Sequence, residues 1–119
     1  MSVLTEARVK ALSGKFDLED VAFLDLSGRG VSAASLATTV AGCTSLRGLA
    51  LRDNGLASLA GLEALTQLEW LDVRRNRLTS LAPLAALPRL TTLLVSENAI
   101  ADVKSLAPLA ACPELRWLS

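Results

Sequence analysis

The chain has 119 residues, 12 basic and 12 acidic, with no formal net charge and no His. Half of it is apolar, but the apolar set is Leu and Ala with two Trp, two Phe and no Tyr. That composition suits one domain built from many small regular layers. Zero net charge argues against a phosphate-backbone binder, and the lack of His removes the commonest general base and metal ligand.

Residues 1–20 carry no repeat. The stretch SVLTEARVKAL reads as a short helix capped by Ser2 or Thr5, with Leu4, Ala7 and Ala11 on one side and Gly14 at its end. Its expected role is an N-terminal cap over the open end of the core. Glu6, Arg8 and Lys10 break any apolar run here, so it does not read as a signal peptide. The longest uncharged run, 30–46, is too rich in Ser, Thr and Gly to span a bilayer.

From residue 21 the chain repeats. VAFLDLSGRGV (21–31), LRGLALRDNGL (46–56), LEWLDVRRNRL (68–78) and LTTLLVSENAI (90–100) align without gaps, and a fifth, truncated copy starts at 115. The intervals between starts are 25, 22, 22 and 25 residues. Inside each unit the L-x-L core alternates with period two, which predicts a half-buried strand. After it an apolar residue recurs at every third position, as in Leu56, Leu59, Leu62 and Leu65. That period suits short 3₁₀ or α-helical turns, with one more turn in each 25-residue unit. One strand and one return cannot bury their own apolar face, whereas stacked units can. The whole of 1–119 is therefore expected to be one domain.

Asn54, Asn76 and Asn98 share one phase, where the strand becomes a loop. A carboxamide there can satisfy backbone groups that the turn leaves unpaired, so the three are expected to form a structural ladder. The first unit has Arg29 instead, which predicts an irregular turn. Cys43 and Cys112 fall three residues before a unit's opening Leu, where other units have Leu65 and Leu87. They are expected to be core thiols about 14 Å apart, too far for a disulfide. No phosphate loop, nucleophile elbow or metal cluster is evident, and no enzyme or cofactor is expected.

These repeats resemble leucine-rich-repeat proteins of the 22-residue, phosphatase-regulator-like subclass. The resemblance implies an α/β fold: a right-handed solenoid with a parallel concave β-sheet and 3₁₀ or α turns on the convex side. It also implies an intracellular, cytoplasmic protein that binds proteins and is not an enzyme. A ciliary or nuclear setting stays open, and the alternative role is a structural subunit engaging an assembly through its ends. The short fifth strand suggests self-association through that C-terminal edge. Neither nucleic acid nor membrane is expected as a partner.

Positions three, five, seven and eight of each unit are free to vary while the fold is kept. The third reads Phe23, Gly48, Trp70, Thr92 and Trp117, an aromatic on every second strand. The fifth adds Asp25, Ala50, Asp72 and Leu94, the seventh Arg52 and Arg74, and the eighth Asp53, Arg75 and Glu97. Exposed Trp beside Arg is the composition of a binding hot spot. Shielding of the sheet and ion pairing in solvent would account for the same residues. With rings spaced by about 9–10 Å, shallow slots are expected over Gly48 and Thr92.

Overall fold

The computed structural model describes residues 21–100, 103–112, 114–115 and 117–118. The cap expected within residues 1–20 lies outside them, as does Ser119 at the C-terminal edge. Five short strands form one parallel sheet in chain order: β1 (Phe23–Asp25), β2 (Gly48–Ala50), β3 (Trp70–Asp72), β4 (Thr92–Leu94) and β5 (Trp117–Leu118). The ladder register is the gapless alignment of the repeats. Leu24 pairs with Leu49, Leu49 with Leu71 and Leu71 with Leu93. Backbone bonds carry the ladder past the strand ends, with the Leu51 N–H reaching the Asp72 carbonyl and the Asp53 N–H that of Arg74.

The period-three segments form the opposite wall. The N–H of Leu62 bonds the carbonyl of Leu59, Leu65 that of Leu62 and Leu68 that of Leu65. Leu84, Leu87 and Leu90 repeat the pattern in the next unit. Each of these leucines is therefore a node of a chain of i→i+3 turns and points into the core, where it is buried. Unit length sets what the return can hold. The 22-residue units have 3₁₀ segments at Leu62–Ala64 and Ala82–Ala86. The first 25-residue unit holds α1 (Ala33–Thr38), capped by the Ser32 hydroxyl, followed by a 3₁₀ turn at Val40–Gly42. The other has a longer 3₁₀ segment, Val103–Ala111. None of the helices among the described residues is long and apolar enough to cross a membrane.

The core between the two walls is a continuous stack of Leu and Val, with Cys43 and Cys112 buried in it and not joined in a disulfide. At Gly61 the backbones of the first two units approach closely. Its φ is 106°, and an added Cβ would lie 2.6 Å from the Ala37 Cα.

The Asn ladder holds the turns. The Asn76 carboxamide oxygen accepts the N–H groups of Asn54 and Leu56, and its nitrogen donates to the carbonyls of Leu51 and Val73. Asn54 does the same for Arg29, Val31, Leu26 and Leu51. Asn98 accepts from Leu78 and donates to Val73 and Val95. The first turn corrects the expectation drawn from Arg29. It is not irregular: Gly28 and Gly30 both have φ 67°, matching Asp53 at 58° and Gly55 at 68° in the second turn. The reason is that the next unit's Asn54 binds this turn from outside, so no Asn of its own is needed.

Candidate partner-binding face

Position three of the repeat places Phe23, Gly48, Trp70, Thr92 and Trp117 in one row across the sheet. The rings do not stand apart as their strand spacing predicts. Phe23 leans across β2 until its ring centroid is 5.8 Å from that of Trp70, tilted by 34°. Its edge occupies the space above Gly48, where an added Cβ would meet the Phe23 Cδ2 at 2.5 Å. The slot expected over Gly48 is therefore filled from within, and Gly48 itself is buried. The absence of a Cβ is what lets the two aromatics approach. The result is a shelf, with Phe23 57% exposed at its outer end and Trp70 half-buried behind it.

Beyond Trp70, Thr92 is half-buried. The second expected slot depends on the Trp117 side chain, which lies outside the described structure; only its backbone register beside Thr92 is described.

Position five departs further from the expected open face. Ala50 and Asp72 are buried, Leu94 is half-buried, and only Asp25 is exposed. Asp72 is held by Arg74 in a two-pronged pair: Nε to Oδ1 at 3.0 Å and NH2 to Oδ2 at 2.9 Å. The Arg74 backbone N–H also donates to Oδ1. Burial alone would push the Asp72 carboxyl up. The side-chain and backbone bonds from Arg74, with the Arg74 and Arg52 charges, outweigh it and hold the group below its ordinary value. Asp25 makes the corresponding bond to the backbone of Ser27, but unit one carries Ser27 at position seven, so its own strand offers no arginine to pair with it.

Positions seven and eight are brought together. Arg52, Asp53, Arg74, Arg75, Ser96 and Glu97 line an open hollow of about 370 Å³. Along its rim, the Arg75 Nε lies 3.2 Å from Asp53 and 3.7 Å from Glu97, giving alternating charges on successive units. All three rim residues have left-handed backbones, with φ between 58° and 59°. Ahead of the N-terminal ends of β2, β3 and β4 a second polar hollow of about 530 Å³ lies between Thr44, Ser45, Arg47, Gln67 and Arg89. It does not follow from the columns of the strand face. Its signal in the sequence is a charged residue at position two, where Arg47 meets Glu69 at 2.7 Å. Among the described residues no three His, Cys, Asp or Glu come together as a metal site would need.

The family model "Leucine Rich repeats (2 copies)" matches residues 66–108. Among solved structures the chain is similar to internalin C2 of Listeria monocytogenes, with 32% identity and a TM-score of 0.74 over 93% of this chain. It is similar in fold to a leucine-rich-repeat protein of Leptospira interrogans, with 23% identity and a TM-score of 0.71 over 82% of this chain. A second Listeria monocytogenes internalin matches with 25% identity and a TM-score of 0.68 over 95% of this chain. The chain spans 48%, 25% and 36% of the lengths of these three. No curated protein matches it.

Proposed function

We propose that this leucine-rich-repeat chain is a non-catalytic interaction module that holds a protein partner against its concave sheet. Leucine-rich repeats are common protein–protein interaction modules, and the fold is shared by the solved structures above. The observation that carries the reading is the Phe23–Trp70 shelf. Phe23 is the one large apolar side chain left exposed among the described residues, and it sits on the sheet face rather than on a return. An exposed ring braced by a half-buried Trp, with arginines nearby, is how binding energy concentrates at interfaces. The paired state of Arg74 and Arg75 supports the same reading, because their guanidinium groups are held in place before a partner arrives.

The binding face comprises Phe23, Asp25 and Trp70 with the Arg52, Asp72, Arg74 and Arg75 cluster, and runs on to Thr92 and Leu94. The two 22-residue units support placement in the phosphatase-regulator-like subclass, and the two buried thiols suit a cytoplasmic setting. The test is recovery of a stoichiometric partner on the immobilised chain, compared with its Trp70→Ala variant. We expect binding to weaken by about 2 kcal/mol or more with the fold retained by circular dichroism. A partner held equally well by the variant refutes the concave-face reading.

A further inference from the structure

The first three strands read FLD, GLA and WLD. Residues two apart on a strand share a face, so each aromatic has a carboxylate beside it. Register then places Gly48 between Phe23 and Trp70, and Ala50 between Asp25 and Asp72. No side chain larger than a methyl rises from the middle strand. The two carboxylates differ in state. Asp72 is buried under Arg74. Among the described residues, Asp25 is exposed, accepts a hydrogen bond from the Ser27 backbone and has no cation within ion-pair distance.

Resting on the concave-face reading, we propose that the partner presents a cationic side chain, Arg in preference to Lys, to this end of the sheet. Its methylene stem crosses the Phe23–Trp70 shelf and its charged head meets Asp25. An aromatic face attracts a cation, an aliphatic stem covers apolar surface while its head stays in water, and a planar guanidinium does both best. An anionic group brought to the same place would meet the Asp25 carboxylate, which has no ion-pair partner among the described residues to offset it.

A random peptide library displayed against the immobilised chain, counter-screened on Trp70→Ala, provides the test. Peptides that require Trp70 should share Arg or Lys at one fixed position. Asp25→Asn keeps the oxygen that caps Ser27, so it should melt like the parent while weakening those peptides about fivefold at low salt and less at high salt. Phe23→Leu, which keeps an apolar cover over Gly48, should weaken them as well. Trp70-dependent peptides with no fixed basic residue, or with undiminished affinity for Asp25→Asn, overturn the cation assignment and leave the concave-face reading standing. A library that yields no Trp70-dependent peptide overturns both.

Discussion

The side-chain oxygen of Asn76 accepts the backbone N–H of Asn54, one unit earlier, at 3.1 Å. Each of the first three turns is thus closed by the unit that follows it. Asn76→Ala should strand the Asn54 and Leu56 N–H groups and leave the Leu51 and Val73 carbonyls with the Asn54 and Asn98 side chains as their remaining carboxamide donors, at a cost of about 1–3 kcal/mol. Asn76→Asp keeps the acceptor but turns a buried carboxylate oxygen towards the Leu51 and Val73 carbonyls, and should be no more stable than Asn76→Ala at neutral pH. Chemical denaturation measures both. An unchanged midpoint for Asn76→Ala would mean that these groups find other partners.

Gly61→Ala should destabilise the junction of the first two units by about 1–3 kcal/mol. The new methyl meets Ala37 backbone at 2.6 Å for Cα and 2.9 Å for N, where no rotamer can relieve it. Gly28→Ala is the control: nothing lies within 4 Å, so only the left-handed backbone is penalised, by about 1 kcal/mol. Equal losses in thermal melts would show that backbone conformation, not the approach to Ala37, decides the effect.

Asp72 makes stability pH-dependent. Its folded value lies below the roughly 3.9 of an unfolded Asp, so its contribution is complete above that value. The contribution is lost as pH falls through the folded value. Midpoints measured between pH 6 and pH 2 should show an acid-side loss in the parent that is smaller in Asp72→Asn. Parallel curves would remove Asp72 from the account.

Both thiols should resist reagents in the native state. Cys43 is fully buried, and burial pushes the Cys112 thiol up, which reduces its reactive thiolate. The Cys112 Sγ also donates to the Leu84 carbonyl at 3.2 Å. Labelling followed by mass spectrometry should be slow until denaturant is added. Rapid native labelling of either would contradict the packing described here.

The stacking of units is legible in the sequence because it is set by spacing. A two-residue period makes the strand, a three-residue period makes the return, and gapless alignment makes the register that pairs Leu49 with Leu71. The regular first turn is not legible at Arg29, since what orders it is Asn54, 25 residues on. The face is legible as rows of residues but not as surfaces. Neighbours decide whether Asp72 is buried or Asp25 exposed, and a side-chain torsion decides where the Phe23 ring lies. Spacing along the chain encodes neither.

The Phe23 ring and any side chain at position 48 compete for one volume. The two positions therefore vary as a pair: a side chain at 48 displaces the Phe23 ring from its place beside Trp70, whereas glycine at 48 lets an aromatic at 23 lie across β2. In a double-mutant cycle, Phe23→Ala should rescue much of what Gly48→Leu costs, an interaction of about 0.5–3 kcal/mol. Among related chains the same pair should switch together. Such a switch would turn an aromatic shelf into an aliphatic one without disturbing the leucines beneath, so partner choice can change at two sites while the solenoid is left alone.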